Sequence, residues 1–250
     1  TFCVKLTLNG CVMDPTQTSF SCGSSLFYNR VIVEQSMSLT GMLDVVYDFG
    51  AEHIDLYYEF LEGKPEPAVD SLRQDLQNRE MSCPLLLINS NLCHPDQEVR
   101  AREVVRVGDC LRLARAVDCE AVRIVAGPEC SEEDRAAGID RVVTAVEELS
   151  AAAAEHGVTL VLENVLQEFG WEEPHFALKS PVFLAIWERV RKQGVRVLFN
   201  TASFLYSKDG GAWVLRVVSP HLFGVRLMDR SAPESDKQTE LGHGCLKLPE

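Results

Sequence analysis

Four times along the chain, a stretch with apolar residues at i, i+3 and i+4 ends in Gly or a short polar turn and gives way to a short apolar run. The stretches are GMLDVVYDFGAEHIDLYY from residue 41, CLRLARAVDCEAVRIVAG from 110, RVVTAVEELSAAAAEHGVTLVLEN from 141 and VFLAIWERVRKQGVRVLFN from 182. The first half of each unit has the period of a helix with one buried face, and the second half reads as a buried strand. Gly50, Gly157 and Gly194 stand where a helix end needs a left-handed residue. The pattern predicts strands near 2–9, 53–58, 84–90, 121–127, 159–164, 195–200 and 222–229. Strands alternating with helices imply a parallel sheet. Units recurring about every 30 to 40 residues point to a (β/α)8 barrel of the TIM type rather than a doubly wound sheet. No Gly-x-Gly-x-x-Gly follows the first strand, which counts against a dinucleotide fold. The eighth strand is not evident: the sequence ends at Pro249-Glu250 where a seventh helix would begin, as in an incomplete or shortened barrel. No linker or low-complexity tract interrupts the pattern, so residues 1–250 read as one domain. Residues 10–36, rich in Ser, Cys and Thr, read as a long first loop.

The polar positions inside these strands carry the chemistry. In GVTLVLENV, residues 157–165, a buried strand finishes on a carboxylate and an amide, Glu163-Asn164. Alternate residues of a barrel strand point inward, and active sites form at the carboxyl ends of the strands. With helices outside, the polar parity turns inward. That predicts Lys5, Thr7 and Asn9 on the first strand, then Asp55, Asn89, Arg123, Glu163, Asn200 and Arg226, as interior groups. An unpaired buried charge costs several kcal/mol, so each of these must pair, coordinate or meet water. An internal ion pair, for example Glu163 with Arg123, is the structural alternative to a functional role.

Composition narrows the partners. The formal net charge is −13 and the pI about 4.9, which disfavours nucleic acid because no phosphate counterions would be released. No apolar run reaches the roughly 18 residues of a membrane span, and no charged and then apolar leader opens the chain. The nine cysteines are odd in number and include no Cys-x-x-Cys, so reduced buried thiols in a cytoplasmic protein are expected.

VRIVAG, AAAAEHGVTLVLEN, VLFNTASF, FGVRLMDR and ELGHG occur in that order over residues 40–247. Together they resemble the xylose isomerase-like barrel superfamily, which includes sugar-phosphate isomerases and epimerases, hydroxypyruvate isomerase, inosose dehydratase and endonuclease IV. The resemblance implies a divalent metal at the barrel mouth, held by a Glu ending strand five, an Asp ending strand six, a His in a strand-seven VHxKD motif and a Glu ending strand eight. Only Glu163 matches a ligand. Asn200 stands at the second position and Arg226 at the third, with Asp229 kept three residues on. Ser203 replaces a further family His. A guanidinium has no lone pair to give a metal and would repel a dication, so no cofactor is favoured; manganese, magnesium or zinc is the alternative.

The resemblance implies proton abstraction beside a carbonyl, with the substrate a small sugar, keto-polyol or related hydroxy-carbonyl compound. Glu163 is then the candidate base and Arg226 the cation that holds the developing oxyanion in place of a metal. Asn200, Asp229, His243, Trp171 and Asn9 are candidate substrate contacts. His243 lies in ELGHG, and Trp171, His175 and Phe176 lie in FGWEEPHF after strand five; His94 follows strand three. The alternative is a non-catalytic barrel that has lost its metal and acts as a binding or partner subunit, with a lyase or dehydratase a further variant. A nuclease of the endonuclease IV type would need a His-rich trinuclear site and a basic face. Gln238 stands where its His would fall, and the charge has the wrong sign. The expected partner is a small molecule, with neither nucleic acid nor membrane, and homo-oligomerisation is compatible with the chain.

Overall fold

The computed structural model describes residues 2–5, 8–9, 12–13, 19–129, 131, 134–166, 173–206, 211–232 and 237–246. Three short strands open the chain: β1 (Phe2–Lys5), β2 (Leu8–Asn9) and β3 (Val12–Met13). The repeating series then runs β4 (Ser19–Gly23), α1 (Leu39–Asp48), β5 (His53–Tyr57), α2 (Glu66–Asn78), β6 (Leu85–Leu87), α3 (Gln97–Ala116), β7 (Ala121–Ile124), α4 (Arg135–His156), β8 (Thr159–Glu163), α5 (Ser180–Val190) and β9 (Arg196–Asn200). It ends with α6 (Thr201–Tyr206), α7 (Gly211–Val218), β10 (Leu222–Leu227), β11 (Asp229–Arg230) and β12 (Gln238–Thr239).

β4 to β10 are parallel neighbours in chain order, and β1 closes the barrel between β10 and β4. β1 runs antiparallel to both, with Val4 opposite Val225 on one side and Phe20 on the other. The α/β barrel is therefore built from seven parallel strands, and among the described residues no eighth parallel strand occurs. This corrects the reading of residues 2–9 as the first βα strand: that place belongs to Ser19–Gly23, inside the segment read as loop. SFSCG escapes a hydrophobic reading because its buried positions are Ser21 and Gly23, while Phe20 faces outward and is 59% exposed. Ser21 points inward because it donates to Asp55 Oδ1 at 2.7 Å. Leu8–Asn9 leaves the barrel and pairs only with Val12–Met13.

The helices form as their pattern predicts. Ser38 caps α1 by accepting from the Gly41 N–H, and Asp96 caps α3 by accepting from Glu98 and Val99. Gly157 ends α4 and Gly194 follows α5, both left-handed at φ 66° and 83°. The buried faces of these helices pack on the outside of the sheet, with Val142, Val146 and Leu149 from α4 and Phe183, Ile186 and Trp187 from α5. Cutting Phe183 to Ala would cost about 3–5 kcal/mol through lost transfer energy and the cavity left. Along the outer face of β4 runs a groove of about 580 Å³, lined by Phe20, Leu26 and Phe49 among others. Among the described residues, no helix is long and apolar enough to cross a membrane.

Candidate functional site

The inward parity places one charged cluster at the carboxyl end of the barrel. Glu163, the last residue of β8, is completely buried. Three strands bring side chains to it, two as ion pairs and one as a hydrogen-bond donor. Arg123 on β7, also completely buried, sets its Nε 3.0 Å from Glu163 Oε2. Its Nη1 donates to the Ile88 carbonyl at 3.2 Å and to Asn89 Oδ1 at 3.3 Å, which fixes the guanidinium in the sheet. Arg226 on β10 brings its Nε to 3.5 Å from Glu163 Oε1. Asn200, ending β9, donates its Nδ2 to the same oxygen at 2.9 Å. Glu163, Asn200 and Arg226 thus meet at one mouth. Two fixed cations and an amide offset the cost of burying the carboxylate.

Asn200 works in two directions. Its Oδ1 accepts from the Ala202 and Ser203 N–H groups at 3.1 and 3.3 Å, so it caps α6 while its amide donates to Glu163. A carboxylate there would cap the helix equally well but would set a second negative charge against Glu163 with no donor between them. Asn is the residue that lets this pair of positions exist without an ion to bridge it.

Asp229 is also buried, and backbone N–H groups meet its carboxylate. Its Oδ1 accepts from Arg230 and Leu246 N–H at 2.8 Å each, and its Oδ2 from Gly242 and Gly244 N–H at 3.0 Å each. Burial pushes its carboxyl up, and the four backbone donors outweigh that and hold it below the usual carboxylate value. With both oxygens engaged by the backbone, Asp229 anchors the 240–246 loop. Gly244 is required here, because an added Cβ would run into Arg230 O and Asp229 Oδ1.

His175 enters the cluster from the segment after β8. It is buried beside Arg123; burial first, and then the guanidinium, push it from 6.5 down to about 3, so the ring is neutral. Its Nε2 and Nδ1 lie 3.4 and 3.3 Å from the Gly127 and Ala177 N–H groups, and a neutral ring accepts at one of them. The loops of the mouth are laced together around it. Phe176 N–H donates to Gly127 O, and Leu92 and Cys93 donate to Ala126 O. Gly127, at φ 130°, leaves no room for a Cβ against Asn91 and Cys93.

Several sequence-predicted residues stand apart. His243 is exposed and lies 3.6 Å from Glu240. His94 accepts from the Asp96 N–H at the start of α3. Asn9 belongs to the β2–β3 hairpin outside the barrel sheet, and Trp171 lies outside the described residues. Arg123 and His175 are the residues whose part in the site the sequence understated. The signal for Arg123 was a charge at inward parity in AVRI; for His175 the sequence showed only a loop His.

A family metal does not fit this arrangement. Two guanidiniums stand against the only matching ligand, and Asn200 Oδ1 is turned to backbone N–H groups. Among the described residues, no group of three or more His, Cys, Asp or Glu is placed to hold an ion.

Residues 43–250 match the family described as xylose isomerase-like TIM barrel. The chain belongs to that family. Among solved structures it is similar to a D-psicose 3-epimerase studied with D-fructose, at 19% identity and TM-score 0.65, over 75% of this chain and 66% of that one. It is similar to the D-psicose 3-epimerase of Clostridium cellulolyticum H10 studied with D-tagatose, at 17% identity and TM-score 0.62, over 73% of this chain and 65% of that one. The probable 3-DHS dehydratase AsbF of Bacillus anthracis, involved in petrobactin synthesis, aligns at 13% identity and TM-score 0.71, over 92% of this chain and 85% of that one. At such identities these likenesses speak for the fold. No curated protein sequence matches the chain.

Proposed function

We propose that the chain is a metal-independent member of its family, an isomerase or epimerase acting on a small hydroxy-carbonyl compound of the keto-sugar kind. The observation that carries this reading is the convergence of Arg123, Arg226 and Asn200 on the Glu163 carboxylate, at the barrel end where this fold performs chemistry. Glu163 removes the proton from the carbon beside the substrate carbonyl, and the electron pair moves onto the carbonyl oxygen as an enediolate. Arg226, nearest the rim of the two guanidiniums, balances that oxyanion. Arg123 keeps Glu163 oriented throughout. Return of that proton by Glu163 to the former carbonyl carbon, with the hydroxyl proton of the enediolate passing to the other oxygen, gives an isomer; an epimer forms when the original carbon instead takes a proton from water on its other face.

The second reading is a non-catalytic barrel that binds a small molecule or a partner. It is favoured by the complete burial of Glu163, since a base must reach its substrate. Solvent-deuterium exchange separates the two. The chain, stripped with chelator, is incubated in deuterium oxide with D-fructose or D-tagatose, and label at the carbons flanking the carbonyl is followed by NMR. The enzyme reading predicts exchange by wild type and its loss in Glu163→Gln, a variant that keeps the shape and removes the base. Exchange surviving in Glu163→Gln removes Glu163 from that role. Absence of exchange in wild type with these keto-sugars favours the binding barrel.

A further inference from the structure

The amino-terminal end of the barrel, opposite the Glu163 centre, holds a second pair of reactive groups. Cys83 lies two residues before β6 and Cys119 two residues before β7. These strands are parallel neighbours with Leu85 opposite Ala121, so the two cysteines occupy equivalent places on adjacent chain segments. Neighbouring strands lie about 4.8 Å apart, within the Cα separations of about 4.4–6.8 Å that a disulfide accepts. The two sulfurs are in contact at 3.7 Å, and bonded sulfurs stand about 2.0 Å apart, so a shift of under about 2 Å closes the pair. Both residues are buried, at 2% and 5% exposure. Each thiol also faces a carbonyl: Cys119 that of Ala121 at 3.3 Å, and Cys83 that of Leu85 at 3.5 Å. Neither takes part in the chemistry at the mouth.

We propose that Cys83 and Cys119 form a dithiol–disulfide pair, which a low-molecular-weight disulfide oxidises to a cross-link between the amino ends of β6 and β7. The thiolate of one cysteine attacks the reagent, forming a mixed disulfide and releasing one reagent thiol. The second cysteine gives up its proton, attacks the protein-bound sulfur and releases the other reagent thiol. The protein loses two electrons and two protons, and the reagent disulfide becomes two thiols. The cross-link staples the two strands that lead to Ile88, Asn89 and Arg123, the residues that brace the Glu163 centre from below. The hydrogen bond to Cys119 and then burial push the Cys83 thiol up, so thiolate is scarce at neutral pH and the reaction quickens as pH rises.

The test uses the full chain treated with oxidised glutathione at mildly alkaline pH, followed by intact mass and non-reducing peptide mapping. The expected result is a peptide pair joined through Cys83 and Cys119, two hydrogens lighter than the two free peptides together. Dithiothreitol should reverse the link, and the oxidised form should melt several degrees higher because the closed loop restrains the unfolded chain. Cys119→Ala should give no such cross-link. The inference is overturned if wild-type mapping finds Cys83 and Cys119 unlinked after the part-exposed Cys22 and Cys245 have reacted. It is equally overturned if either is joined to a different cysteine.

Discussion

Glu163 and Asp229 are both buried carboxylates at the carboxyl end of the barrel, and they are satisfied in opposite ways. Glu163 is met by side chains from three strands, two of them cations. Asp229 is met by four backbone N–H groups from its own neighbour and the 240–246 loop. Backbone donors carry no charge to move and no rotamer to change, so Asp229 pins a loop. Side-chain partners bring charge, so two guanidiniums offset the cost of burying Glu163. Two carboxylates of similar burial thus separate into one held by backbone and one held by charged side chains.

The largest expected effect comes from removing one cation. Arg123→Met strips Glu163 of its closest charge partner in a dry interior. We expect a loss of about 3–5 kcal/mol, as for other broken buried pairs, read from urea denaturation midpoints. Combining it with Glu163→Gln should recover much of that loss, because the uncompensated charge goes with it. If Arg123→Met costs no more than a surface substitution, the ion pair is not what holds the mouth.

Asp229→Asn sharpens the other side of the comparison. The amide turns an NH2 toward backbone donors, and the expected cost is about 2–3 kcal/mol. The amides of Gly242, Gly244 and Leu246 should exchange faster with solvent while those of β8 and β9 keep their protection. Spread of the change to β8 would mean that the two carboxylates are one unit.

A further effect appears in acid. His175 stays neutral in the folded chain down to about 3, whereas an unfolded chain takes up that proton below 6.5. The unfolded state therefore binds more protons across that window, and stability falls as pH drops from 6.5 toward 3, by about 1.4 kcal/mol per pH unit. Asp229 has the opposite kind of group with the same outcome: its contribution is present above 3.8 and is lost as pH falls through its lowered value. His175→Gln should flatten the slope between pH 4 and 6 without touching the loss below it. An unchanged slope would place the acid sensitivity elsewhere.

Much of the fold was legible because helices and central strands obey simple periods. Gly157 and Gly194 end their elements as a left-handed residue should, and Asp96 opens α3. The convergence of Glu163, Asn200 and Arg226 followed from strand parity alone. The amino-terminal part was misread for physical reasons. β4 buries a serine, whose partner Asp55 is 34 residues away in sequence, so no local pattern marks Ser19–Gly23 as a strand. An antiparallel closing strand such as β1 gives no signal of direction in its residues. The backbone cage around Asp229 was not legible, because a sequence shows a carboxylate without showing the backbone that surrounds it. His175 was understated because its burial depends on loops from three different βα units packing together.

The most direct test of the guanidinium-held centre is the metal content of the purified chain. Protein prepared without chelator would be analysed for manganese, magnesium, zinc and other divalent ions, then titrated with each while its melting temperature is followed. With Arg123 and Arg226 standing against Glu163, the metals should total far less than one per chain, and added ions should leave the melting temperature unchanged. One tightly held divalent ion per chain, with a melting shift that disappears in Glu163→Gln, would contradict it.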